Sequence, residues 1–139
     1  MHRRLREVGW SLAGLALAGA ACGATITWDG SGNSNTGGNW SVGVNWDSDT
    51  PPATADTAVL PDVTVGTRNV TADVDTVVAS LTIQQSNNSY GNNLVLAANL
   101  SVSNWSGAGW AYGNSRIYMN GHTLTIGAQP VFGNFMTMV

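Results

Sequence analysis

Two aspartate pairs, Asp47/Asp49 and Asp73/Asp75, have the spacing that carboxylate chemistry asks for. At i, i+2 the carboxyls of a pair share one face if they lie on a strand. A glycosidase needs two carboxyls across one bond, one of them kept protonated. Paired carboxylates also offer the oxygen ligands that calcium prefers. Neither pair has the Gly-rich nonapeptide spacing of calcium-binding β-rolls, nor an EF-hand loop, so the expected role is that of solvated turn acids. His122 follows an Asn120-Gly121 turn with no Ser or Cys motif beside it, and no catalytic role is expected of it. Zinc spacing, a phosphate-binding Gly loop before a helix and a nucleophile elbow are all missing from the sequence. The reading is of a chain that is not an enzyme and carries no cofactor or metal.

Tryptophan is the other residue type with chemistry to offer. Trp105 and Trp110 lie in a Gly/Ser-rich stretch, 103–114, and are the candidate glycan contacts. An exposed indole stacks its apolar face on a sugar ring while its edge stays polar. Trp28, Trp40 and Trp46 sit among Gly and Asn residues of turn type, and are expected to pack together as an N-terminal cap.

The elements that must position these residues follow an N-terminal leader. Three of the five basic residues fall within the first six positions, an apolar run covers 8–21, and small residues close the segment at Ala20-Ala21-Cys22-Gly23-Ala24. That order is the order of a secretory signal, expected over 1–24 with cleavage after Ala24. The apolar run is shorter than the ~20 residues that a membrane span requires. Cys22 is the only cysteine, and Gly19 stands where a lipoprotein signal wants an aliphatic residue, so the cysteine is expected to leave with the leader. After position 24, two arginines (Arg68, Arg116) face seven aspartates, a net charge of −5. So few cations cannot neutralise phosphates, which excludes nucleic acid as a partner and disfavours anionic membrane surfaces.

Past the leader the chain alternates short runs of β-formers with Gly, Asn and Pro, the composition of an all-β protein. Residues 25–57 form a Trp-rich cap region, ending near the strand-stopping Pro51-Pro52. From 58 to 139 the chain repeats. Ser80-Leu81-Thr82-Ile83, Asn99-Leu100-Ser101-Val102 and Thr123-Leu124-Thr125-Ile126 each hold an aliphatic–hydroxyl–aliphatic triplet, with both aliphatics on one face. The triplets are spaced by 19 and then 24 residues, lengths suited to coils of a β-solenoid whose apolar faces are buried by stacking. The expected fold is a parallel β-helix or β-solenoid fragment with Leu81, Leu100 and Leu124 stacked. The alternative is an antiparallel β-sandwich, in which Asn120-Gly121 makes a type I′ hairpin. The run Phe135-Met136-Thr137-Met138-Val139 has no polar cap, so the chain is expected to be the N-terminal piece of a longer architecture.

The stretches Trp28-Asp29-Gly30, Gly38-Asn39-Trp40-Ser41, Asn45-Trp46-Asp47, Pro51-Pro52 and Asp56-Thr57-Ala58-Val59-Leu60 have a familiar order. Together they resemble the start of the passenger region in bacterial autotransporter-associated β-strand repeat proteins. These are large exported chains that often end in an outer-membrane barrel or a PEP-CTERM-type sorting tail. The stretch from Ile117 through Asn120-Gly121 to Ile126 is similar to their coil repeat, and the resemblance covers 26–127. It implies a right-handed parallel β-helix, secreted or at the cell surface, with a role in adhesion or scaffolding. The expected partners are a surface glycan or protein ligand, and a downstream solenoid or translocator domain. The sequence departs from the family in holding no long set of alternating membrane strands and no sorting tail. The alternative function is a carbohydrate-binding or lyase-like β-helix. A lyase, however, needs a convergent Asp/Arg/Lys cluster, and the chain has no lysine.

Overall fold

The computed structural model describes residues 23–86, 89–106, 115–128 and 137–138. Nearly all of the leader expected over 1–24, and Trp110, lie outside them. Among the described residues are β1 (Thr25–Thr27), β2 (Gly38–Asn39), β3 (Thr57–Leu60), β4 (Arg68–Ala72) and β5 (Thr76–Ile83). After these come β6 (Asn92–Leu96), β7 (Leu100–Ser106), β8 (Arg116–Tyr118), β9 (Leu124–Ile126) and β10 (Thr137–Met138). One short 3₁₀ turn, Gly43–Asn45, is the only helical element among them. No helix among the described residues is long and apolar enough to cross a membrane.

The strands alternate between two five-stranded sheets. Odd-numbered strands pair in the order β1-β3-β5-β7-β9, and even-numbered strands in the order β2-β4-β6-β8-β10. Every pairing between these strands is parallel. A tight turn cannot join parallel neighbours, so the chain crosses to the other sheet and returns one rung later. This overturns the antiparallel alternative, since an isolated bridge between Trp28 and Trp46 is the one antiparallel contact among the described residues. Asn120 and Gly121 do take the positive φ values of a type I′ turn, 46° and 80°, closed by His122 N donating to Met119 O at 2.8 Å. They nevertheless connect β8 to β9, which belong to different sheets.

The rung is 24 residues long over much of the stack. Leu100 pairs with Leu124, Val78 with Val102 and Val70 with Leu94. Stacking of Leu81 on Leu100 does not form: Leu81 pairs with Ala58 on one side and Trp105 on the other, and Thr76 is the upstream partner of Leu100. The reason lies in β5, which has two halves. Pairing skips Ala79, where Ala79 N and Ser80 N both donate to Asp56 O at 3.0 and 3.2 Å. Thr76–Val78 matches the first half of β7, while Ser80–Ile83 lies against β3. Both halves carry aliphatic alternation, so the 19-residue spacing compares different halves of the rung.

Inward-facing positions form apolar columns running across the rungs. Ile26, Ala58, Leu81 and Trp105 make one, and Val70, Leu94 and Ile117 another, all buried. A single rung has no partner for its inner face, so burial and parallel pairing arise together. Leu94, fully buried between Val70 and Ile117, is the sharpest probe of this interior. Leu94→Ala is expected to destabilise the fold by about 3 kcal/mol, against less than ~0.5 kcal/mol for Val77→Ala on the exposed face. Equilibrium urea unfolding of the two variants measures the contrast, and equal losses would refute the column.

Candidate functional site

The turns come first, because the aspartates sit there and not on strands. Asp73 and Asp75 flank Val74 between β4 and β5. Asp73 reaches back to the first rung, accepting from Ser41 N at 2.9 Å and Ser41 Oγ at 2.6 Å. Asp75 reaches forward, accepting from Asn99 N at 2.9 Å, and Asn99 Oδ1 in turn accepts from Thr123 N at 3.0 Å. Asp47 accepts from Thr27 N, Asp56 from Ala24 N and Ala53 N, and Asp62 from Ser86 N and Val63 N. With Asp29 on Ser31 N, six of the seven aspartates bind backbone amides. These carboxylates are staples that satisfy amide donors which the ladders leave over at corners. The expectation of merely solvated turn acids is too weak. Among the described residues no group of three or more His, Cys, Asp or Glu side chains gathers.

Burial pushes the Asp73 carboxyl up, but the bonds from Ser41 Oγ and N, with those from its own and the Trp40 amide, outweigh it. The carboxyl is held below the usual range.

Arg68 is the feature that the sequence reading missed. It alternates with Val70 and Ala72 on β4 and so points inward, fully buried. Its Nη1 donates to Ser34 O, its Nη2 to Pro61 O at 2.6 Å and its Nε to Asn92 Oδ1 at 3.2 Å. Asn92, its register partner, donates from Nδ2 to Leu60 O, Pro61 O and Gln84 O. Asn92 N donates to Ser115 Oγ, which donates to Gln85 Oε1. One polar column thus ties the passage from the odd sheet to the even sheet across four rungs, from Ser34 to Ser115. Burial lowers the Arg68 pKa to about 10, with the Asp62 charge opposing. Both folded and unfolded chains keep the proton below that value, so this group adds no pH dependence near neutrality. The signal in the sequence was the 24-residue spacing of Arg68 and Asn92.

The tryptophans divide. Trp28, Trp40 and Trp46 are all buried, with Trp46 edge-on to Trp28 at 5.1 Å and to Trp40 at 4.7 Å between ring centroids. Trp28 Nε1 donates to Thr36 O at 2.9 Å and Trp46 Nε1 to Trp40 O at 2.8 Å. Trp105 also lies in the core, 6% exposed, and presents no open indole face for the glycan contact expected of it. Trp110, the other candidate glycan contact, is outside the described residues.

Among the described residues, two surface concavities stand out. One, of about 300 Å³, is bordered by Trp40, Pro51, Pro52, Val74 and Val77. The other, an open depression of about 370 Å³, lies on the outer face of the even sheet. Thr67, Asn69, Asn93, Val95, Tyr118 and Asn120 line it. Its floor follows the register: Asn93 pairs with Asn69 on one side, and Val95 with Tyr118 on the other. Asn93 Nδ2 donates to Asn69 Oδ1 at 2.8 Å, while Asn93 Oδ1 accepts from Arg116 N at 3.0 Å. Asn120 Nδ2 donates to Leu96 O at 3.1 Å, and Arg116 Nη1 to the Tyr118 hydroxyl at 3.4 Å. The Asn69, Asn93 and Asn120 amides and the Tyr118 phenol are therefore held by hydrogen bonds, with no carboxylate among the lining residues. The arrangement can present hydrogen bonds to a ligand but holds no acid–base or nucleophilic pair. Compared with family models, with curated proteins and with solved structures, the chain matches none.

Removing the guanidinium takes the Arg68 donor from Ser34 O and Asn92 Oδ1 and one of two donors from Pro61 O, so Arg68→Ala is expected to cost about 3 kcal/mol in urea unfolding. Arg68→Lys should recover only part, because an ammonium cannot reproduce the planar fork. The depressed Asp73 carboxyl contributes stability that is full above the unfolded value of about 4 and fades as pH falls through the lower folded value. Asp73→Ala is accordingly expected to lower Tm at pH 7 and flatten its decline between pH 4 and 2. An unchanged acid limb would show that the Ser41 contacts do not matter.

Proposed function

We propose that this chain is an exported parallel β-solenoid, a passenger segment with a non-enzymatic role in adhesion or scaffolding at a bacterial cell surface. The observation that carries the reading is the alternation of parallel strands between two sheets at a 24-residue rung. A fold in which each rung contacts only its neighbours extends by repetition and makes a long rigid spacer, which a surface structure needs. The apolar interior does the holding together, since the chain past the leader has no cysteine for disulfides. The amide staples of Asp56, Asp62, Asp73, Asp75 and Asn99 suit a fold that repeats, because each links one rung to the next. The leader-type opening supports export, and the Trp, Gly and Asn motifs that resemble autotransporter-associated β-strand repeat proteins support a surface role.

Export and surface display are tested together. The protein, expressed with its first 24 residues in a Gram-negative host and in its own source, is expected to lose them and to start at Thr25 by intact mass. It is then expected to be reached by antibody on unbroken cells of the source. Retention of the opening segment on a cytosolic product would end the proposal.

A further inference from the structure

The outer face of the even sheet has a feature that the scaffold role alone does not require. Side chains on an outer sheet face need only be soluble. Here they are organised into two rows across the rungs, Asn69–Asn93–Arg116 and Thr71–Val95–Tyr118. The first row is bonded internally, Asn93 to Asn69 through the side-chain amides and to Arg116 through its backbone. The second row presents the part-buried Tyr118 ring beside Val95, with its hydroxyl held by Arg116. Between the rows lies the depression of about 370 Å³, at the lower end of the ~300–1,000 Å³ typical of ligand sites.

We infer that this depression is a binding site for an uncharged polysaccharide lying across the rungs. The chemistry is that of sugar recognition: fixed amides offer both a donor and an acceptor to vicinal hydroxyls, and an aromatic ring with an aliphatic neighbour covers the apolar face of a pyranose. Rungs recur every ~4.8 Å along the stacking direction, so a chain of sugars laid that way meets Asn69 and Asn93 in succession along one row and Val95 and Tyr118 along the other. Charge selects the occupant. At the depression itself the exposed Arg116 reaches Tyr118 and no carboxylate is among the lining residues, while the molecule as a whole carries −5 past the leader, the charge that a long polymer meets on approach. A polyanion is repelled on approach, while a neutral chain is not. The site rests on the parallel register alone and not on export, so failure of surface display leaves it standing.

Native affinity electrophoresis tests the assignment, with a mixed-linkage β-glucan, a xylan and a galactomannan as neutral probes and polygalacturonate as the acidic one. At least one neutral probe is expected to retard the wild-type protein. Tyr118→Leu and Asn69→Ala are each expected to weaken that retardation about five- to tenfold. Val77→Ser, on the outer face of the odd sheet, should leave it unchanged. A hexasaccharide cut from the bound polymer should shift amide resonances of residues 67–69, 93–95 and 118–120 in the unmodified protein, a reading that needs no variant to fold. Absence of retardation by every neutral probe, retardation by polygalacturonate alone, or shifts confined to other residues would each overturn the site.

Discussion

Parallel pairing between strands a full rung apart is the constraint on which everything else here depends. A strand of two to eight residues has no stability by itself, and its parallel neighbour comes only after the chain has crossed to the other sheet and back. Each rung thus waits for the next to complete its backbone bonds and to cover its inner side chains. The apolar columns are the consequence, because fixed register places position on position. Trp105 illustrates it: once Leu81 is set on Ala58, the same column carries the indole inward.

The corners obey a second accounting. Where the chain leaves one sheet for the other, its amides lose their ladder partners, and side-chain oxygens replace them. Aspartate and asparagine do this for different neighbours, Asp73 backward and Asp75 forward, so two acids two residues apart serve opposite directions along the stack. Arg68 and Asn92 do the complementary work for carbonyls on the inside. A charge buried so deeply is tolerated because carbonyl oxygens and one amide surround it, and burial shows instead in its lowered pKa.

Much of the architecture was legible in the sequence. Alternating aliphatics between Gly, Asn and Pro read as short strands, and the pair Leu100 and Leu124 was in true register. The Trp-Gly-Asn stretch read correctly as tryptophans packed together, since turn residues around an indole leave it free to fold inward. Leu81 was out of phase because β5 is two alternating runs joined at Ala79, and periodicity does not say which half of a rung it comes from. Arg68 was passed over because an arginine flanked by Thr67 and Asn69 reads as a surface residue, and only its 24-residue spacing from Asn92 hints otherwise. Trp105 was misplaced for the converse reason: a Gly/Ser context reads as a loop, although residues 100–106 form a strand with the indole on its inner side. The lining of the even-sheet depression was not legible at all, since it is assembled from three strands and two turns by register.

The first rung is joined to the second by the shortest ladders near that end, three residues between β1 and β3 and two between β2 and β4. Gly37 brings the second of these so close that an added Cβ would meet Asn69 O at 2.4 Å. Ladder bonds run along the stacking direction, so a pull on that axis loads every interface in series and the weakest yields first. The tryptophan trio and the Asp56 and Asp73 staples gather at this junction. Their placement amounts to mechanical reinforcement of the link that tension would otherwise open.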